Sequence, residues 1–226
     1  MKPRIIISIF LTIFYVQLVF ADDNQSIDEA FQVQEEQPYA DSFNPSLKFE
    51  NEHDIILGDP NAPILFVEYF SPTCAHCAYY MNRIFPKIKE RYIDTGKIRY
   101  VKREAIGNKQ DLDASVLIRC TSNQDDRLNF IKVILDRQNV WAYSSQYRDI
   151  LTNIGQIGNV AKEEYVQCLE DEKIIIRLMK NTDLAFRYPG FVGTPSFFIN
   201  GELFIKPYTL HNLSQSIEEA LNNNQG

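Results

Sequence analysis

Two cysteines separated by two residues carry the strongest chemical signal in this 226-residue sequence. Cys74 and Cys77 follow an apolar run typical of a buried strand, and a periodic helical segment follows them. Residues three apart lie on one side of a helix, and free N–H groups at its N-terminus favour a negative charge on the first sulfur. Because thiolate is the nucleophile in disulfide exchange, we predict that Cys74 reacts and that Cys77 is the shielded resolving thiol.

His76, between the two cysteines, strengthens this redox interpretation. A protonated imidazole there would stabilise the Cys74 thiolate and so make the disulfide a stronger oxidant. Other uses of the motif fit less well, because no second C-x-x-C is present for zinc and Ala78 stands where haem attachment would need histidine. A passive staple would close only a short loop, which restricts the unfolded chain little. We therefore expect neither a metal nor a cofactor.

A second signal, Thr194-Pro195, opens a predicted strand far along the chain. X-Pro bonds are the common source of cis peptides, and proline is tolerated at the first residue of a strand. A cis bond there would leave a backbone edge free to pair with an extended substrate. We therefore predict that Thr194 and Pro195 bind substrate.

The elements that must position these residues alternate between strand and helix at both ends of the chain. We predict strands at residues 64–70, 98–102, 196–200 and 202–206, the last two joined by the two-residue turn Asn200-Gly201. The helix after the cysteines carries apolar residues at spacings of four, with a kink expected at Pro86: Tyr80, Ile84, Ile88 and Tyr92. Residues 106–189 have a helical pattern, and one predicted core stripe there comprises Ile174, Ile175, Leu178 and Met179. An amphipathic helix closes the chain near Leu221.

Composition and length limit the classes of protein that are compatible with the sequence. The apolar content of 45% and the charged content of 23% are ordinary for a globular chain, which has room for one core with an insertion. The net charge is −7 and no basic block occurs, so nucleic acid is not an expected partner.

The N-terminal segment predicts export. Lys2 and Arg4 precede an apolar stretch that ends at Phe20, and small residues allow signal-peptide cleavage near Ala21. We therefore assign residues 1–21 to a signal peptide and place the mature protein in the periplasm or another extracytoplasmic space. Residues 22–50 are acidic and poor in apolar side chains, which predicts a flexible arm, the alternative being a short oligomerising segment.

Four sequence blocks, taken together, resemble the DsbA-like branch of the thioredoxin superfamily. They are LGDPNAP at residues 57–63, VEYF at 67–70, CAHC at 74–77 and VGTPSFFING at 192–201. The resemblance spans roughly residues 54–221. It implies an α/β fold, with thioredoxin-domain parts at residues 51–106 and 190–226 and an inserted all-helical domain at 107–189. It also implies a cis Pro195 packed over the cysteines, and periplasmic dithiol oxidation.

By the same resemblance, Glu68 is a buried carboxylate beneath the site that can relay a proton to or from Cys77. A charge inside an apolar strand is costly to bury without a purpose. The alternative is a strand residue whose carboxylate reaches solvent.

The sequence departs from the family pattern at two places. Thr194 stands where the best-known DsbA oxidases carry valine, and threonine there resembles isomerase and reductase relatives. Cys120 and Cys168 lie in the helical block, where many relatives have no cysteine. Four cysteines allow three pairings, which the sequence alone leaves open. We expect Cys120 and Cys168 to form a structural disulfide, the alternatives being a second redox pair or two free thiols.

Three functions from two classes remain compatible with these residues. The leading one is a monomeric oxidase of reduced exported proteins, reoxidised by a DsbB-like membrane partner. A disulfide isomerase or reductase is the enzymatic alternative. A chaperone-like module that holds exported chains, with incidental cysteines, is the non-enzymatic one.

Overall fold

The computed structural model describes residues 54–121 and 123–224. The predicted signal peptide and acidic arm lie outside these residues. One mixed sheet has the order β1-β3-β2-β4-β5. Its strands are β1 (Ile55–Leu57), β2 (Ile64–Phe70), β3 (Ile98–Glu104), β4 (Ser196–Ile199) and β5 (Glu202–Leu203). Only β2 and β3 pair in parallel, and the other neighbours are antiparallel.

Eight helices accompany the sheet in the described part of the chain. The first, α1, spans residues 75–93 and follows β2, and the last, α8 (Leu210–Asn223), closes the chain. Six helices lie between β3 and β4: α2 (Lys109–Arg119), α3 (Gln124–Asp136), α4 (Gln138–Trp141), α5 (Tyr147–Ile157), α6 (Lys162–Leu169) and α7 (Glu172–Arg187). The α/β order is therefore interrupted by an all-helical block, as the sequence pattern predicts.

The central strand β2 is buried on both faces, which explains its unbroken apolar sequence. Because successive side chains point to opposite faces, Phe66 and Phe70 enter the larger core, whereas Val67 and Tyr69 enter a smaller one that includes Ala185 of α7. The two faces of the sheet are thus covered by different helices, and Glu68 faces the same side as Phe66 and Phe70.

Helix α1 is not a uniform α-helix. Its segments alternate between α and π geometry: Ala75–Tyr79 (α), Tyr80–Ile84 (π), Phe85–Ile88 (α) and Lys89–Ile93 (π). Pro86 lies in the first turn of the second α segment, directly after a π segment. A proline has no N–H to donate, and the widened π turn accommodates that loss where the sequence predicts a kink. The residues at spacings of four, Tyr80, Ile84, Ile88 and Tyr92, are all buried.

Two predictions about the later elements need correction. Strand β5 ends at Leu203 rather than at residue 206, and Ile205 beyond it is 87% exposed. The stripe predicted on α7 is wrong for Met179, which is exposed, because the buried face of that helix runs through Leu178 and Ala185. The turn Asn200-Gly201 has positive φ at both residues, as the predicted two-residue hairpin requires.

Cys120 and Cys168 form a disulfide between the end of α2 and α6, with Cα atoms 5.8 Å apart. Cys74 and Cys77 are free thiols. Within residues 54–121 and 123–224, no helix is both long enough and apolar enough to cross a membrane.

The disulfide closes a loop with a sequence separation of 48, so removing it should destabilise the fold. The chain-entropy model gives about 4 kcal/mol for a loop of that length. We expect Cys120→Ser/Cys168→Ser to lower the free energy of unfolding in urea by about 2–4 kcal/mol. A loss below about 0.5 kcal/mol would show that the helical block is held together without this bond.

Candidate active site

Cys74 is the N-cap residue of α1, with extended backbone angles (φ −80°, ψ 113°). Strand β2 ends at Phe70 and three residues bring the chain to the cysteine, so its sulfur lies at the mouth of the helix. The sulfur accepts a hydrogen bond from the backbone N–H of Cys77 at 3.3 Å. The first N–H groups of a helix have no partner inside it, and here one of them is used to hold sulfur.

The two sulfurs have opposite environments. Hydrogen bonding from the Cys77 thiol is the largest cause that lowers the pKa of Cys74 to about 6, against the opposing effect of burial. The Thr194 side chain and the backbone N–H groups of Cys77 and His76 lower that pKa further. Burial is the main cause that raises the pKa of Cys77, assisted by Cys74 and by the charge of Glu68. A partly accessible thiolate therefore stands beside a fully buried thiol, which is the division between nucleophile and resolving group that disulfide exchange uses.

The Thr194-Pro195 segment lies directly over Cys74. The peptide bond between the two residues is cis, and the Cys74 thiol donates to the Thr194 carbonyl at 3.1 Å. Both residues are half-buried, whereas Val192, just before them, is 96% exposed. The segment thus joins the reactive sulfur to an exposed apolar surface.

His76 is exposed, and its imidazole contacts a tyrosine that lies just before α8. Its Nδ1 lies 2.7 Å from the hydroxyl of Tyr208, which precedes α8. Burial is the main cause that raises the pKa of Tyr208, and both cysteines add to it. Tyr208 therefore remains protonated near the thiolate and orients the histidine. The sequence offers no signal for this pair, because the partners are 132 residues apart.

Glu68 is fully buried, so the alternative of a carboxylate reaching solvent is wrong. Its Oε2 accepts hydrogen bonds from the Tyr100 hydroxyl and the Lys102 ammonium, which is itself fully buried. Register explains the cluster: Lys102 is paired with Glu68 across the parallel strands, and Tyr100 lies two residues earlier on the same face. The hydroxyl of Tyr80, from α1, lies 3.4 Å from that of Tyr100. This buried cluster connects the sheet with the helix that bears the cysteines.

A second buried carboxylate, Asp111 of α2, holds the turn that precedes Cys74. Its Oδ1 accepts from the Ser71 hydroxyl at 2.6 Å and from the Thr73 N–H at 2.8 Å, and its Oδ2 accepts from the Gly107 N–H at 3.0 Å. The Gln138 amide, from α4, donates to the Pro72 carbonyl at 2.7 Å. The helical block therefore fixes each of the three residues before the nucleophile.

Sequence reasoning missed Asp111 and Gln138 as members of the site. The only available signal was local: Asn108 caps α2 and Asp111 lies three residues later, a pattern that predicts a helix start and nothing more. Among residues 54–121 and 123–224, no group of three side chains is arranged to bind a metal ion.

Comparisons with known proteins agree with this geometry. A family model described as Thioredoxin matches residues 50–219. The chain is 44% identical over 201 residues to a protein from Rickettsia prowazekii (strain Madrid E) described as a protein-disulfide oxidoreductase, covering 88% of this chain and 74% of that protein. A protein of the same description from Rickettsia bellii (strain RML369-C) is 46% identical over 187 residues, covering 83% and 71%.

Solved structures give the same result. Wolbachia pipientis alpha-DsbA1 aligns with a TM-score of 0.72 and 32% identity, covering 81% of this chain and 98% of that one. BdbD from Bacillus subtilis, at 20% identity, shares the fold with a TM-score of 0.68 over 75% of this chain and 94% of its own.

The lowered pKa of Cys74 predicts how the stability of the reduced protein depends on pH. Between about pH 6 and the ordinary cysteine pKa near 8.5, the folded chain binds fewer protons than the unfolded chain, so stability rises with pH and is lost as pH falls through about 6. Thiolate absorbance should titrate with a midpoint near 6. In Cys74→Ser, both the absorbance step and this part of the pH dependence should disappear. A midpoint near 8.5 would contradict the assignment.

Asp111→Asn should loosen the turn before Cys74, because one amide oxygen cannot accept from donors on both sides. We expect the free energy of unfolding to fall by about 1–3 kcal/mol. A displaced turn should weaken the hydrogen bonds to the Cys74 sulfur and so move the pKa of Cys74 from about 6 towards its ordinary value. The Asp111 charge is not among the causes that set this pKa, so a change in it would report the position of the turn.

The matched control is Asp113→Asn on the same helix. Asp113 is also buried, but it accepts from Tyr147 and Arg148, both at 2.6 Å, and not from the turn. The Asp113→Asn variant should have a lower free energy of unfolding and should keep the low pKa of Cys74. If both variants move that pKa equally, Asp111 has no specific positioning role.

Proposed function

The chain belongs to the DsbA-like protein-disulfide oxidoreductases of the thioredoxin superfamily, and from this membership we propose that it oxidises the thiols of exported proteins. The predicted family, the thioredoxin fold with a helical insertion and the enzyme class are thereby confirmed. The direction of the reaction, the substrates and the location are our proposal.

The observation that supports oxidation is the stabilised thiolate of Cys74, whose pKa is lowered to about 6. A stabilised thiolate favours the reduced form of the Cys74–Cys77 pair, and so makes their disulfide ready to accept electrons. The same low pKa makes Cys74 a good leaving group. Both properties favour release of an oxidised client.

The exchange starts from the Cys74–Cys77 disulfide. A client thiolate attacks the sulfur of Cys74, the bond between the two cysteines breaks, and Cys77 leaves and takes up a proton. The second client thiolate then attacks the client's own sulfur in the mixed disulfide, and Cys74 leaves as a thiolate. Two electrons pass to the enzyme and the client gains one disulfide.

Glu68 and His76 have distinct proposed roles in these steps. Glu68, whose charge raises the pKa of Cys77, relays the proton that Cys77 gains or loses. The imidazole of His76, when protonated, adds to the stabilisation of the Cys74 thiolate that its backbone N–H already provides.

Clients bind as extended chains along Thr194 and Pro195, above the sulfur. The Thr194 carbonyl is within hydrogen-bonding distance of Cys74, so a client backbone that pairs there places its cysteine beside the nucleophile. The neighbouring Val192 is almost fully exposed and offers an apolar contact to an unfolded chain.

The proposed location is the periplasm or another extracytoplasmic space, after cleavage near Ala21. It is supported by the charge and apolar pattern of residues 1–21, and by the stable disulfide between Cys120 and Cys168, which needs an oxidising compartment. A DsbB-like membrane protein is the proposed partner that reoxidises the cysteine pair, and a monomer is the proposed state.

Disulfide isomerase or reductase activity is the second candidate, and Thr194 favours it. The Thr194 side chain is one of the causes that lower the pKa of Cys74, and valine has no hydroxyl with which to do so. Thr194→Val should therefore raise the pKa of Cys74 and shift the balance between the two activities.

The decisive experiment compares a fully reduced and a scrambled disulfide protein as substrates for the exported chain in parallel. An oxidase should form disulfides rapidly in the reduced substrate and repair the scrambled one slowly. Cys74→Ser should reduce oxidation to the uncatalysed rate, while Cys77→Ser should accumulate mixed disulfides with clients. Cys120→Ser/Cys168→Ser is the control and should keep oxidase activity.

Two results would contradict the proposal. Faster repair of the scrambled substrate than oxidation of the reduced one would assign the protein as an isomerase. Unchanged activity of Cys74→Ser in preventing aggregation, with no oxidation by the parent chain, would assign it as a holder of unfolded chains.

A further inference from the structure

Three arginines from three helices line one small cavity in the helical block. None of them is close in sequence to Cys74 or Cys77. Arg119 comes from α2, Arg127 from α3 and Arg177 from α7. The remaining lining residues are Ile174, Leu178 and Asn181. The cavity has a volume of about 30 Å³. Since one water needs about 10–15 Å³, the cavity has room for one or two groups of that size.

Two of the three arginines are largely removed from solvent, and Arg177 is partly exposed. Arg119 and Arg127 are each 9% exposed, and Asn181 is 3% exposed. A buried guanidinium loses much of its hydration, and that loss is expensive unless an anion or several acceptors replace the water.

Among the described residues, one carboxylate pairs with one of these three arginines. Glu104, at the end of β3, accepts from Arg119 through both of its oxygens. Among residues 54–121 and 123–224, no carboxylate lies within ion-pair distance of Arg127 or Arg177. Arg127 donates through Nε to the Thr121 carbonyl, which leaves its terminal nitrogens for the cavity.

The electrostatics around Arg127 agree with that account. Burial is the largest cause that lowers its pKa, and the positive charge of Arg119 is the next. Glu104 opposes them, and Arg177 lowers the pKa by less than Glu104 raises it. Three guanidiniums thus line one space, and Glu104 is the carboxylate that pairs with one of them within residues 54–121 and 123–224.

We propose that this cavity binds a compact inorganic anion of about the size of chloride, held by Arg127 and Arg177 with Asn181 beside it. The bound anion would supply the missing negative charge and would connect α3 to α7. Arginine suits such a site because its fixed fork of donors is weakly hydrated and always charged. The proposal concerns the helical block and is independent of the direction of the redox reaction.

The test measures thermal unfolding of the exported chain while sodium chloride replaces sodium gluconate at constant ionic strength. Gluconate is too large for the cavity, so the exchange isolates chloride binding from general screening. The unfolding midpoint should rise with the logarithm of the chloride concentration once that exceeds the dissociation constant, by about 3–6 °C at ten times the dissociation constant. Broadening of the chloride-35 NMR signal by the protein gives a second, stability-independent readout.

Two variants with one matched control decide whether the cavity is responsible. Arg127→Gln and Arg177→Gln should each abolish the chloride-dependent rise, measured against the midpoint of the same variant in gluconate, and should reduce the NMR broadening. Arg187→Gln removes an exposed arginine of the same helix, paired with Asp183, and should keep both responses. Equal midpoints in chloride and gluconate for the parent chain, or equal chloride responses in parent and Arg127→Gln, would overturn the proposal.

Discussion

The structure depends on one interaction: a sulfur atom accepts a hydrogen bond from a backbone N–H at the start of a helix. Cys74 occupies the N-cap of α1, where an oxygen-bearing side chain usually lies, and Cys77 supplies both an N–H and a thiol to its sulfur. Such donors are fixed by the helix and need no reorganisation when the thiolate forms. A thiolate stabilised in this way sets both the nucleophilicity of the site and the ease with which its disulfide is reduced.

That stabilisation acts on only one of the two sulfurs because the second lies one helical turn deeper. Cys77 is buried against a sheet that carries the charge of Glu68, and both factors raise its pKa. Lys102 and Tyr100 fix the position of that charge from the neighbouring strand. The difference between the two cysteines therefore arises mainly from their depth and from the strand register, and the backbone N–H of His76 adds to it.

Sequence patterns predicted the elements whose signals are local. The buried strand β2, the C-x-x-C at the start of a helix and the Asn200-Gly201 turn each depend on neighbouring residues, and the structure has all three. Contacts between distant segments were not predictable in this way. Asp111 reaches Ser71 across 40 positions and Tyr208 reaches His76 across 132, and no periodicity or motif relates such partners. Likewise, the failure at Met179 arose because the packing of α7 on the sheet, rather than its apolar periodicity, decides which face is buried.

The contacts that sequence reasoning missed show what the helical block between β3 and β4 contributes to the site. The turn from Ser71 to Thr73 joins β2 to Cys74, so its geometry determines where the sulfur meets the helix N–H groups. Asp111 and Gln138 supply acceptors and a donor from two helices of the block, one of which begins at the carboxyl end of β3. The insertion therefore acts as a rigid support that fixes the approach to α1. Loss of the hydrogen bonds from Asp111 or Gln138 should consequently change the position of Cys74, although neither α2 nor α4 contributes an atom that reacts.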